Sequence, residues 1–278
     1  MPSRTACAPR LPRQKKRRAL SICAAEIYIK HNTKREFFKE RGSKMDDEIE
    51  HAAEHGAPPV GNRVRIAFLA LLAFLAAASC YKAPDFAYSD GNLWLQHFGT
   101  LAVALPLLAD LKFRKFSLAV CICLVLFGAL HVLGARYLYS YVPYDEWAEK
   151  LFKWHIDTEE GLHGNKFDRL VHFCFGLLLL PLFFQIAERW LKVGNFAVSL
   201  LVAWLFVQFG SMLYEIFEWG LSVVLSPESA EDYNGQQGDI WDAQKDMFLA
   251  LIGSTVTAAY LACRHWFVGR MKRGKQSA

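Results

Sequence analysis

Several absences narrow the sequence before any positive signal is read. The seven cysteines (Cys7, Cys23, Cys80, Cys121, Cys123, Cys174 and Cys263) form no CxxC pair. Most lie inside apolar runs, where cysteine acts as a small hydrophobe, so neither a disulfide framework nor a zinc knuckle is expected. No alternating polar–apolar pattern long enough for barrel strands occurs. There is no HExxH, and no nucleophile elbow surrounds Ser211 or Ser222, so the tightest signatures of a metalloprotease or a serine hydrolase are missing. No basic helix interleaved with aromatics is present, and the net charge of +5 arises from the tails, so no nucleic-acid partner is expected. No apolar core with a small-residue cleavage site precedes the charged N-terminal stretch, so no cleavable leader is expected either. No internal repeat relates the two halves, which argues against an inverted-repeat transporter.

What the chain does have is apolar length. Charged residues crowd into the tails and loops and leave six windows at Val64–Tyr81, Leu93–Leu111, Phe116–Ala135, Leu170–Ala187, Phe196–Leu225 and Met247–Phe267. About 20 apolar residues cross the hydrocarbon layer. The expected fold is therefore all-α, a polytopic membrane bundle of about six transmembrane helices. Pro106 interrupts the second window, which a membrane helix tolerates as a kink.

Lysine and arginine set the orientation. They are dense before the first window, ending in Arg63 and Arg65. They recur at Lys112, Arg114 and Lys115, at Arg189 and Lys192, and at Arg264, Arg270, Lys272, Arg273 and Lys275. The other links hold fewer cations and more acids, so the positive-inside bias places both termini in the cytoplasm. The expected organisation is a basic and polar cytoplasmic tail over residues 1–60, a membrane domain over 61–268 and a short basic tail over 269–278. Nothing in residues 1–44 signals a fold, and Met45 is the favoured translational start. In the third link, Asp145–Lys153 predicts a short helix on the membrane surface with Trp147 and Leu151 toward lipid.

With that orientation the polar residues of the spans converge. His131 lies toward the outer end of the third span, and Asp168, Arg169 and His172 open the fourth. In the fifth, Gln208, Ser211, Glu215, Glu218 and Ser222 form a stripe within about 80° of arc. Asp239, Asp242 and Asp246 lead into the sixth at i, i+3, i+7, which puts them on one face if that segment is helical. Ionisable residues at membrane depth face a bundle interior or a wet cavity and mark function by default. Acids held close alter each other's proton affinity, so His172, Asp246, Glu215 and Asp168 are the candidate acid–base residues. Histidines with carboxylates also suit a divalent cation, with His131, His172, Glu215, Glu218, Asp239 and Asp242 as candidate ligands. The sequence names no cofactor beyond that class. The bland alternative is a salt-bridge network in which Arg169 and Lys245 neutralise the acids. His97 and His51 are expected to be solvated, and Gly128, Gly134, Gly176, Gly210 and Gly253 to permit close helix packing.

Three stretches carry a resemblance. Phe167-Asp168-Arg169-Leu170-Val171-His172-Phe173, Tyr214-Glu215-Ile216-Phe217-Glu218-Trp219 and Gly238-Asp239-Ile240-Trp241-Asp242-Ala243-Gln244-Lys245-Asp246-Met247 resemble the YjdF-like bacterial inner-membrane proteins. The segment from His131 through Gly134, Tyr137 and Pro143 fits as well, over roughly residues 60–268. That resemblance implies a multi-pass inner-membrane protein of unestablished activity. A more distant similarity is to VanZ-like membrane proteins linked to glycopeptide tolerance. Asp168, His172, Glu215, Asp246 and Gly253 fit their pattern, with Arg169 where lysine and Ala250 where asparagine is expected. It implies a role at the envelope, on lipid or lipid-linked intermediates. The expected function is an outward-facing His/Asp/Glu pocket that binds or processes such a molecule, with membrane lipid as partner. The alternatives are a proton-coupled or small-solute transporter with Glu215 and Glu218 as relay, and a structural assembly protein.

Overall fold

The computed structural model describes residues 36, 58–85, 87–88, 92–153, 166–225, 230 and 239–276. The basic tail up to residue 57, with Met45 and His51, the end of the third link and Gly238 lie outside these. The chain divides into Met1–Glu54 and His55–Ala278, and every helix named below belongs to the second unit.

In chain order the helices are α1 (Asn62–Cys80), α2 (Asn92–Phe113), α3 (Leu118–Arg136), α4 (Tyr144–Phe152), α5 (Phe167–Gln185), α6 (Phe196–Val224) and α7 (Asp242–Gln276). A π-helical turn, Ile186–Trp190, extends α5. Among the described residues there is no strand, only an isolated bridge between Pro59 and Ser117. All helices but α2 and the short α4 are long and apolar enough to cross a membrane. Helix α2 has 22 residues, and Gln96, His97 and Asp110 dilute its apolarity. Its Trp94, Phe98, Leu101, Leu105 and Leu108 are nonetheless exposed at helical spacing, an apolar stripe that only hydrocarbon would cover. Five helices are thus long and apolar enough to span, with α2 packed beside them, and the all-α membrane bundle expected from the sequence stands.

Contacts at the two ends fix an up-and-down course. At one end the start of α1 meets the end of α2 through Arg65 and Asp110. There Ser117, before α3, bonds Gln185 at the end of α5, and Phe196 of α6 stacks on His265 of α7. At the other end Arg136 of α3 donates to the carbonyls of Ser79, Tyr81 and Lys82 beyond α1, and Arg169 of α5 reaches Asp239 before α7.

The tightest crossing is between α5 and α7. A Cβ on Gly176 would fall on the Ala250 carbonyl, and one on Gly253 on the Phe173 carbonyl. Two glycines therefore let the backbones touch. Gly134 instead seats the Tyr139 ring, Gly128 the Leu72 side chain and Gly210 the Phe175 ring. Thr257 of α7 donates to the Leu177 carbonyl at 2.7 Å. That carbonyl is the one Pro181 leaves without its i+4 amide, so the neighbouring helix satisfies the proline's defect. The shared core includes Leu72, Val103, Leu107, Phe116, Leu124, Phe127 and Leu179.

Two expectations are revised. Trp147 does not face lipid: it packs edge-on against Tyr137, while Leu151 is exposed. His97 is hydrogen-bonded among Ser79, Cys80 and Thr100 rather than solvated. Helix α7 runs unbroken through Gln276.

Candidate functional site

The acids at the Arg169 end fall into two tiers. The outer tier is neutralised. Arg169 lies 2.5 Å from Asp239 Oδ2 and 3.4 Å from Asp242 Oδ1, and Lys245 lies 2.5 Å from Asp239 Oδ2. Asp239 is not on α7, which starts at Asp242. Asp239 sits in the turn before the helix, where its Oδ1 accepts from the Trp241 amide at 3.1 Å. Residue 239 therefore does not share the helical face of Asp242 and Asp246. Its carboxyl is held below the usual carboxylate range, first by the Lys245 hydrogen bond and then by the Trp241 amide.

The inner tier gathers around a histidine instead. His172, one turn into α5, is 5 % exposed. Its Nε2 lies 3.5 Å from Glu215 Oε1 and 3.7 Å from Asp168 Oδ2. Asp246 of α7 completes the group: donor atoms of Asp168, His172 and Asp246 all lie within 4.8 Å of one another. Glu218, one turn beyond Glu215, is buried beside them and interacts with Tyr214 and Glu215. Asp246 Oδ1, Glu215 Oε1 and Ser211 Oγ are buried without a hydrogen-bond partner. Native proteins seldom leave buried polar atoms orphaned unless something else binds there.

Local sequence explains the convergence. Asp168 and His172 stack at i, i+4 on α5. On α6, Ser211, Glu215 and Glu218 are its buried polar residues near this end, while Ser222 further along is exposed and bonds its own helix. Gln208, one turn below, donates to Ser254 of α7 at 2.9 Å. The inward-facing part of the α6 stripe therefore runs from half-buried Gln208 to buried Glu218 and ends there.

His131 is set apart from the group. One ring nitrogen contacts the Gln96 carbonyl at 3.2 Å and the other the Tyr139 hydroxyl. Tyr139 reaches it because Leu138 and Tyr139 both adopt left-handed backbone (φ 48° and 56°), a turn pinned by the Tyr139 amide on the Gly134 carbonyl. Of the six candidate ligands, the structure gathers His172, Glu215 and Glu218. It engages His131 elsewhere and ties Asp239 and Asp242 to Arg169. All four candidate acid–base residues, His172, Asp246, Glu215 and Asp168, come together.

Two of the four, Asp168 and His172, line a cavity of about 360 Å³, within the usual range for small-molecule sites, ~300–1,000 Å³. His131, Tyr139, Asp168, His172, Ser211 and Tyr214 line its polar end. Below them the wall is Val103, Phe127, Phe175, Leu179, Leu182 and Phe183, down to Ile186. From Asp168 to Ile186 is about 27 Å at 1.5 Å per residue, close to the hydrocarbon thickness of ~30 Å. Helices α2 and α6, which both line the slot, make at most slight contact with each other. Exposed Ala102 on α2 and half-buried Gly210 on α6 mark the slot's side opening. Sequence reasoning missed Tyr214, whose ring meets His172 edge-on at 5.7 Å. Its position one turn after Ser211 was the available signal.

Residues 64–266 match a family described as "Predicted membrane protein (DUF2238)". The chain belongs to this family. It is 30% identical over 179 residues to "Inner membrane protein YjdF" of Escherichia coli (strain K12), covering 63% of this chain and 80% of that protein. No solved structure matches it. This DUF2238 protein is thus a multi-pass protein of the bacterial inner membrane, as its apolar helices require.

Proposed function

We propose that the protein binds a lipid or lipid-linked envelope molecule in the slot between α2, α3, α5 and α6. The polar headgroup lies at His172, Asp168, Glu215 and Asp246, and the chain lies along Phe175, Leu179 and Leu182. One observation carries the reading: a cavity lined by polar groups around His172 and by aromatic and aliphatic side chains elsewhere, between two helices that make at most slight contact. A water-soluble substrate has no use for the apolar part, whereas a membrane lipid enters sideways without leaving the bilayer. A histidine within reach of carboxylates beside the headgroup is also what a hydrolase or transferase acting on that lipid would use. The looser likeness to VanZ-like envelope proteins points the same way. By the positive-inside count, the polar end lies near the outer leaflet.

A proton-coupled transporter is less well supported. A relay from Glu215 and Glu218 would need polar groups beyond Gln208, and the slot wall below His172 is aromatic and aliphatic. The opposite end is plugged by Phe116, stacked on Trp190, and by the Arg65–Asp110 pair.

The test is native mass spectrometry of the purified full chain, with lipid extraction. The expected result is a co-purifying lipid of one headgroup class. Val103→Phe, which projects a ring into the slot, should lower its occupancy at least tenfold while the protein stays folded. Equal occupancy of mixed bulk phospholipids in both proteins would contradict the reading.

A further inference from the structure

The inner tier raises a charge problem that the lipid reading leaves open. Asp168, Glu215 and Asp246, with Glu218 hydrogen-bonded to Tyr214 beside them, come from three helices to one place, with a single histidine among them. The nearest arginine, Arg169, is committed to Asp239 and Asp242, and Lys245 to Asp239. Buried anions are kept only where something pairs with them. Three separate observations point to the same missing partner. Donor atoms of Asp168, His172 and Asp246 already lie within 4.8 Å of one another. Glu215 Oε1 is 3.5 Å from the imidazole nitrogen at the centre of the group. Asp246 Oδ1 and Glu215 Oε1, on residues 1 % and 8 % exposed, have no hydrogen-bond partner.

We propose that Asp168, His172, Glu215 and Asp246 bind one divalent cation. One imidazole nitrogen with carboxylate oxygens is a borderline-to-hard donor set, suited to Mn²⁺ or Zn²⁺ and poorly suited to Cu⁺. The group sits slightly wider than a filled coordination sphere, so binding draws the side chains inward. Helices α5 and α7 are fixed against each other at Gly176 and Gly253, one to two turns below, so Asp168, His172 and Asp246 are carried on a rigid pair. This set differs from the one the sequence suggested: Asp168 and Asp246 replace His131, Glu218, Asp239 and Asp242. The cation also bears on the headgroup. Four acids would repel a phosphate, whereas a cation held among them would accept one as a further ligand, a consequence that rests on the lipid reading.

The experiment uses the full chain purified in detergent without chelator. Elemental analysis is expected to find close to one Mn²⁺ or Zn²⁺ per chain. After chelator stripping, calorimetry should restore one equivalent of Mn²⁺ or Zn²⁺ at micromolar affinity, and the added metal should raise the melting temperature. Asp168→Asn/Asp246→Asn should lose at least a hundredfold in affinity while retaining its helical circular dichroism. If that variant fails to fold, the stripped and reloaded wild type still decides the matter. No uptake of either metal by the stripped protein overturns the proposal, as does unchanged uptake by the folded double variant. Lipid bound without metal overturns this inference alone; metal bound without lipid overturns only the lipid reading.

Discussion

Gly253→Val is expected to abolish folded protein in the membrane. The valine Cβ would have to occupy the position of the Phe173 carbonyl, with the Leu177 amide close behind. A flexible side chain could move aside; the backbone of α5 cannot without separating the two helices. Overpacking inside a core costs about 1–3 kcal/mol, and a backbone clash belongs at or beyond the top of that range. Gly176→Val should behave alike, since its Cβ would meet Ala250 and Ser254. Fully buried Ala250 lies against Gly176, and the crossing leaves no room there for a longer side chain. Gly269→Ala, on the same helix with nothing near its Cβ, should be neutral or slightly stabilising. Size-exclusion profiles in detergent and thermal melts would report all three. A monodisperse Gly253→Val with a wild-type melt would show that the helices do not touch there.

The second large effect is expected at the other end. Arg65 and Asp110 are both fully buried and lie 2.5 Å apart. Arg65 also donates to the Val60 carbonyl, while Asp110 accepts from the Lys115 and Phe116 amides at 2.6 and 3.1 Å. Arg65→Met leaves a buried carboxylate without its cation, and removing one partner of such a pair typically costs ~3–5 kcal/mol. Adding Asp110→Asn removes the stranded charge yet keeps an oxygen for the two amides. The double variant should therefore recover most of the loss. Denaturant or thermal unfolding of the three variants forms the cycle. Equal stability of Arg65→Met and the double variant would mean that Asp110 carries no charge in the folded protein.

These two cases show what the sequence could and could not display. Helical period alone brought out the α6 stripe of Ser211, Glu215 and Glu218, and i, i+4 spacing brought out Asp168 with His172, because both patterns lie within one helix. The Arg65–Asp110 pair joins residues 45 apart, and Arg65 was counted only as a topogenic charge. Asp239 was placed on a helical face because nothing in Gly238-Asp239-Ile240-Trp241 fixes where α7 begins. The turn that its side chain caps decides the point. His131 looked like a ligand because Tyr139, eight residues on, reaches it only through left-handed backbone at two non-glycine residues. The division of the acids into an outer tier held by Arg169 and Lys245 and an inner one gathered around His172 depends on how far Arg169 reaches, which no spacing rule supplies.

The claim everything else rests on is that the slot beneath His172 is filled from the bilayer. Membranes carrying phospholipid and polyprenyl probes with a diazirine in the chain would be photolysed around the native protein, and the labelled residues mapped by mass spectrometry. The account predicts labels on the inward wall, at Phe175, Leu179, Leu182 and Gly210, in addition to the outer surface. Labels confined to lipid-facing residues such as Phe98, Leu101 and Leu213, with none on the inward wall, would contradict it.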